Sequence, residues 1–166
     1  MAYVSVVDRD AIENEMVWGD RDLPVTTYGL LSRTAEKFPS RNAVSFQLMS
    51  GPTDKCETFS WSELKDKTTQ VANMFRELGV GETDVVAYLL PNTNETVLTY
   101  LGGQVAGIVN PINPLLEAEQ IAAILRETNA KVLVTLRAFP KTDVSQKAAE
   151  AVALAPRLAS ATFIAS

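Results

Sequence analysis

The sequence has no histidine and a single cysteine, Cys56, among its 166 residues. Without histidine it lacks the commonest general base and the commonest metal ligand, and one thiol cannot close an internal disulfide. Positive charge is scarce as well. The 15 Lys+Arg are scattered and outnumbered by 20 Asp+Glu, so the electrostatic footprint of a nucleic-acid binder is absent. Long apolar runs are also missing. The longest, from Val85 onward, is broken by PNTNE (91–95) before it reaches the ~20 residues a membrane span needs. Asp8, Arg9, Asp10, Glu13 and Glu15 interrupt the opening, which argues against a signal peptide and makes a cytoplasmic protein the expectation.

What the chain does have is 46% hydrophobic residues, enough for one core. Short β-branched runs alternate with amphipathic helical runs and no internal repeat occurs. That pattern belongs to an α/β fold with three layers, a largely parallel sheet flanked by helices. Residues 1–25 read as an irregular segment and residues 26–166 as the α/β domain. A helix over Tyr28–Lys37 is expected behind Thr26 or Thr27. AVSFQLM (43–49) and a run ending in ETFS (57–60) bracket a turn, SGPTDK (50–55), as in a hairpin. FSWSEL (59–64) has capping-box spacing at Ser60 and Glu63, with Phe59 and Leu64 placed to staple over it. Leu64, Val71, Ala72, Phe75 and Leu78 then share one helical face, and Gly79 stands where a left-handed residue ends such a helix.

DVVAYLL (84–90) reads as a buried strand, and the helix after PNTNE is expected to turn Val97, Leu98, Leu101 and Val105 inward. GIVN (107–110), KVLVT (131–135) and ATFIA (161–165) read as further strands. Helices over about 117–128 and 145–154 connect them, Asn129 taking a left-handed exit from the first and Pro156 stopping the second.

Local motifs favour structure over chemistry. GGQVAG (102–107) closes a helix, whereas a dinucleotide fingerprint opens one, so its small residues are better read as close helix–sheet packing. SGPTDK has the ingredients of a nucleotide loop without its spacing, and is read as a solvated turn. Cys56 has no activating neighbour in sequence. Asn110 and Asn113 precede prolines and read as extended or turn positions. Asn92, Thr93 and Asn94 differ in position: they follow the carboxyl end of the best strand and precede a helix, where ligands of open α/β sheets bind. They are candidates for a cleft rim, although Asn and Thr are equally ordinary helix caps.

Taken in order, the segments FSWSEL, RELGVGETDVVAYLLPN (76–92), AGIVNPINP (106–114) and NAKVLV (129–134) make residues 28–135 resemble the N-terminal part of the adenylate-forming, AMP-binding superfamily. Within it the similarity is greatest to acyl-CoA synthetases, the acid-thiol ligases. The resemblance implies the first subdomain of that enzyme fold, incomplete at its C-terminus, within a larger enzyme. That enzyme would join a fatty or related carboxylic acid to coenzyme A using ATP and Mg²⁺, through an acyl-adenylate.

The family's glycine-rich loop ending in Pro-Lys-Gly and its catalytic lysine do not occur in these residues, so no catalytic or metal-binding residue carries over. No cofactor is expected on this chain, and the chain alone is expected to be inactive. The expected partners are the remainder of the enzyme with its acid, ATP and CoA, and copies of itself through exposed apolar surface; nucleic acid is not among them. Two other readings stay open: another adenylate-forming ligase (an aryl-acid ligase or a peptide-synthetase adenylation domain), or a non-catalytic α/β binding module. The helix after NPLL begins at Glu117 where the family often has Thr or Ser, which implies a weaker cap there.

Overall fold

The computed structural model describes residues 5–49, 51–137, 142–155 and 160–164, the last five by backbone alone. The chain opens with α1 (Val6–Asn14), started by Ser5, whose hydroxyl accepts the Asp8 amide. A 3₁₀ turn follows at Trp18–Asp20. The opening segment is therefore partly helical where irregular structure was expected. Neither α1 nor the turn buries a residue, so no apolar periodicity marks them in the sequence.

Thr26, not Thr27, caps α2 (Thr27–Lys37), accepting from the Gly29 amide. The expected hairpin is present as β1 (Asn42–Gln47) antiparallel to β2 (Cys56–Ser60). Ser60 then starts α3 (Trp61–Glu77) with a complete capping box: its hydroxyl accepts the Glu63 amide while the Glu63 carboxylate accepts the Ser60 amide at 2.8 Å. The Ser60 amide, and then the Ser60 hydroxyl donating to the same carboxylate oxygen at 2.8 Å, hold the Glu63 carboxyl below its usual range. At the other end Gly79 has φ 82°, its amide bonds Arg76 O and the Val80 amide bonds Phe75 O, the two bonds of a Schellman ending.

The sheet comprises β3 (Val85–Leu89), β4 (Ile108–Pro111), β5 (Ala130–Leu136) and β6 (Ser160–Ile164), parallel throughout, in the order β4-β3-β5-β6. The helices α4 (Asn94–Ala106), α5 (Ala118–Glu127) and α6 (Val144–Leu154) link them. Strand alternation assigns the two faces. Val86, Val132 and Val134 pack with Phe75, Val80 and Ala106 on the α3/α4 side. Ala87, Leu89 and Leu133 pack with Ile121, Leu125 and Ala148 on the α5/α6 side. Both faces of the sheet are covered, as a parallel sheet requires. A third cluster, Leu31, Phe59 and Leu64, seats the hairpin and α2 on the outer side of α3 and α4.

Helix α4 buries a different stripe from the one expected. Its buried residues are Asn94, Thr99, Gly102, Gly103 and Ala106, while Val97, Leu98 and Leu101 pack on the third cluster and Val105 is half-buried. The reason is distance. A Cβ on Gly102 would stand 2.6 Å from Val71 Cγ1, and one on Gly103 2.3 Å from Val109 Cγ2, so the helix lies too near α3 and β4 for larger residues. GGQVAG thus serves close packing. The weaker cap implied at Glu117 has a replacement, since the Gln120 side chain accepts the Glu117 amide at 3.0 Å. Asn129 takes the left-handed exit from α5 at φ 49°. The stop at Pro156 lies outside the described residues.

Candidate functional site

The chain steps from β3 through α4 to the edge strand β4, then returns through α5 past β3 to β5 and on through α6 to β6. The neighbours β3 and β5 therefore send their connections to opposite faces, and a crevice opens between their carboxyl ends, the usual ligand position in such sheets. A cleft of about 850 Å³ lies there. Leu136 at the end of β5, and Thr142, Asp143 and Val144 at the start of α6, form one side. Pro91, Thr93 and Glu95 supply the end of β3 and the start of α4; Pro114 and Leu115 come from the loop after β4. The remaining wall is the hairpin, through Phe46, Leu48, Lys55 and Glu57.

Of the three rim candidates, Thr93 lines this cleft and caps α4, accepting the Thr96 amide at 3.4 Å. Thr96 in turn donates its hydroxyl to Pro91 O, which fixes the loop. Asn94 is 1% exposed and lies behind the lining. Its amide donates to the Glu57 carboxylate at 2.9 Å and to Glu57 O at 3.3 Å, which ties the hairpin wall to the start of α4. Asn92 is exposed and does not line the cleft. Lys55 was read only as part of a solvated turn and Glu57 only as part of a strand, because tertiary packing alone brings the hairpin to the strand ends. Pro52, Thr53 and Asp54 of the turn are exposed as expected, Gln47 donating to Gly51 O and Asp54 O across it. Cys56 is exposed on β2, 3.6 Å from the Thr58 hydroxyl. Asn110 lies in β4, and Asn113 accepts the Leu115 amide in a turn.

The charges of the lining are mostly satisfied within the protein. Asp143 pairs with Lys147 at 3.2 Å, and Lys147 also reaches Glu117 at 3.3 Å. The Asp143 hydrogen bond, with Glu117 adding to it, pushes the Lys147 ammonium above its usual range. Glu95 sits in the first turn of α4, where the helix N-terminus favours a negative charge. Three carboxylates against one ammonium do not suit a triphosphate. Among the described residues no group of His, Cys, Asp or Glu is arranged to hold a metal, and no helix is long and apolar enough to cross a membrane. The residues present therefore do not fit ATP with its Mg²⁺, and no chemical step is assigned to them.

Comparison with known proteins accords with this architecture. A family model described as AMP-binding enzyme matches residues 31–165. Marinolic acid–CoA ligase of Pseudoalteromonas sp. (strain SANK 73390) is 33% identical over 114 residues, 69% of this chain and 17% of that protein. The peroxisomal benzoate–CoA ligase of Arabidopsis thaliana is 32% identical over 119 residues, 71% of this chain and 19% of its own. This chain thus spans less than a fifth of either relative. Among solved structures, the anthranilate CoA ligase AuaEII in complex with anthranoyl-AMP superposes with a TM-score of 0.70 over 86% of this chain and 26% of that one, at 23% identity. That likeness is one of fold: the parallel sheet with its flanking helices matches the first subdomain of adenylate-forming enzymes.

Proposed function

The chain belongs to the AMP-binding enzyme family, and from that premise we propose that residues 26–166 are the N-terminal α/β scaffold of an ATP-dependent acyl-CoA synthetase. In that reaction the carboxylate of the acid attacks the α-phosphorus of ATP and releases pyrophosphate, forming an acyl-adenylate. The thiol of coenzyme A then attacks the acyl carbon and AMP leaves. A carboxylate is a poor electrophile, and adenylation supplies the leaving group it lacks. Mg²⁺ supplies the neutralisation of phosphate charge.

The observation that carries this reading is that the two relatives described above are CoA ligases of carboxylic acids, marinolic and benzoic. The chain's own part is structural. It sets the sheet on which the rest of the enzyme builds, with Pro91, Thr93 and Glu95 at the rim of the cleft. Fatty-acid metabolism and a cytoplasmic location belong to the same proposal. So does self-association: the covered sheet removes one reason for it, and exposed Trp18, Val25, Leu48 and Leu115 supply another. Light scattering on dilution checks this, and a particle mass that stays monomeric at every concentration refutes it.

Carboxylate-dependent exchange of labelled pyrophosphate into ATP tests the activity. The 166-residue chain alone should show none above a buffer blank. Joined to the downstream region of benzoate–CoA ligase in place of that enzyme's own N-terminal segment, it should support exchange with benzoate. A folded chimera without exchange refutes the scaffold reading, and exchange by the chain alone refutes its inactivity.

A further inference from the structure

We propose that residues 5–25 form a docking arm for a separate protein, one whose surface is basic around an apolar hollow. The arm lies outside the matched residues 31–165, so the proposal does not rest on the acyl-CoA synthetase reading. Charge, exposure and local order all point to it.

The arm holds six acidic residues, Asp8 to Asp22, against Arg9 and Arg21, a net charge of −4 out of −5 for the whole chain. The rest of the chain is therefore close to neutral, at −1. Apolar exposure is concentrated in the same place. Eight of the fifteen large apolar residues exposed among the described residues belong to the arm, with Val7 75%, Val17 72% and Trp18 74% exposed. Exposed apolar groups at that density, interleaved with charge, mark interaction surfaces.

The arm is ordered without being buried. Ser5 caps α1, and the Arg21 guanidinium closes its other end, donating to Ile12 O at 2.8 Å while lying 5.4 Å from the centre of the Trp18 ring. Arg33 of α2 holds Asp22 at 3.3 Å, which fastens the arm to the domain. Much of its freedom is thus lost before a partner arrives, which favours binding. Both arginines are engaged inside the arm, since Arg9 pairs with Asp10 and, at 3.8 Å, with Glu13. Glu15 and Asp20 have no ion pair among the described residues. The charge left to face a partner is negative, and lysine or arginine around the Trp18 hollow is its complement. A second copy supplies no such excess: its arm repels, and its body is near neutral. Apolar contact alone therefore holds copies together less tightly than a basic partner, and the anionic face of a membrane is repelled.

Three fluorescein-labelled peptides of equal length can be titrated with the 166-residue chain by anisotropy: an amphipathic lysine–leucine helix, its glutamate–leucine counterpart, and oligolysine. The lysine–leucine peptide should bind about tenfold more tightly than either, and more weakly as salt rises. Trp61→Phe leaves Trp18 as the one tryptophan, and its emission should move to the blue with that peptide alone. Amides in place of both Glu15 and Asp20 should weaken binding about fivefold. Trp18→Ser should weaken the lysine–leucine peptide about thirtyfold and leave oligolysine unchanged, because only the first has an apolar face to lose. Neither α1 nor the 3₁₀ turn buries a residue, so the arm variants leave the core untouched.

Equal affinity for the lysine–leucine and glutamate–leucine peptides would overturn the proposal, and so would binding that Trp18→Ser leaves undiminished or no binding at all. Self-association that Trp18→Ser abolishes and the lysine–leucine peptide fails to reverse would give the arm to a second copy and overturn it too. A blue shift with phosphatidylcholine or phosphatidylserine vesicles would give it to a membrane. A Trp18 emission already blue in the benzoate–CoA ligase chimera would give it to the remainder of the enzyme, with the same consequence. Exchange by a chimera that binds no peptide would remove the arm and leave the enzyme reading intact, whereas peptide binding without exchange would do the reverse.

Discussion

Replacing Gly79 isolates what the left-handed ending of α3 contributes. At φ 82° an L-residue is strained whatever the surrounding space, and a Cβ there would stand 3.7 Å from Lys131 Cε and Nζ, an ordinary contact. Gly79→Ala therefore introduces backbone strain with no clash. The left-handed region costs a non-glycine residue about 1–2 kcal/mol, and the reduced freedom of the unfolded chain returns about 0.4–1 kcal/mol. The net loss should be about 1 kcal/mol.

Gly79→Val adds two methyl groups beyond that Cβ and crowds Lys131, whose ammonium donates to Gly79 O and, at 2.8 Å, to Asp84. The loss there should be about 2 kcal/mol, strain and crowding together. Urea denaturation measures both. With a slope of about 2 kcal/mol/M, alanine lowers the midpoint by about 0.5 M and valine by about 1 M. Unchanged midpoints and slopes would show that α3 does not end through this residue. A loss confined to valine would assign the effect to Lys131 and leave the backbone argument refuted.

Gly103→Ala should cost about 1–3 kcal/mol, because its Cβ meets Val109 Cγ2 at 2.3 Å; a thermal midpoint equal to that of the parent would show that α4 can lift off β4 freely. Gly107→Ala should be worse tolerated, since backbone oxygens of Asp84 and Gly81 stand 2.5 and 2.7 Å from the added carbon and cannot rotate away; equal stability of the two variants would contradict this. The Lys131 hydrogen bond, then the Gly81 amide, holds the Asp84 carboxyl below its usual range. A depressed carboxyl stabilises the fold above its unfolded value near about 3.9 and loses that contribution as pH falls through the lower folded value. Asp84→Asn should therefore flatten the acid limb of stability against pH, and an unchanged acid limb would refute the linkage. Lys147 runs the opposite way: its raised value gives stability present below the unfolded value and lost at higher pH, so Lys147→Met should flatten the alkaline limb of the same titration.

Both ends of α3 were legible in the sequence because their determinants are local. Ser60 and Glu63 satisfy one another three residues apart, and Gly79 needs only its own φ. The parallel sheet was legible for a similar reason, since Val86, Val132 and Val134 lie in runs buried on both sides. Helix α1 was not, because a helix that buries nothing has no apolar stripe to read. The stripe of α4 was misjudged because two of its five buried positions are glycines, whose burial follows from contacts with Val71 and Val109 and not from their own hydrophobicity.

The candidate site was legible only at Thr93. Asn94 reads as a cap in sequence, but it is fixed by Glu57, 37 residues earlier. Lys55 and Leu48 enter the cleft only because that tie and the third cluster seat the hairpin there. Nothing within ten residues of PNTNE signals the hairpin that completes the wall.

That tie also has a kinetic meaning. Outside its own ladder the hairpin rests on one small cluster and on the Asn94 amide, whereas β3 and β5 lie between two larger clusters. Sub-global opening of the hairpin should therefore require less free energy than opening of the sheet. Amide hydrogens of β1 and β2 should exchange with deuterium well before those of β3 and β5, and Asn94→Ala should widen the gap by accelerating the hairpin alone. Equal protection across all four strands would contradict this. A wall that opens separately gives the cleft its own clock: the residence time of any occupant becomes tied to the breathing of two short strands and not to the unfolding of the domain.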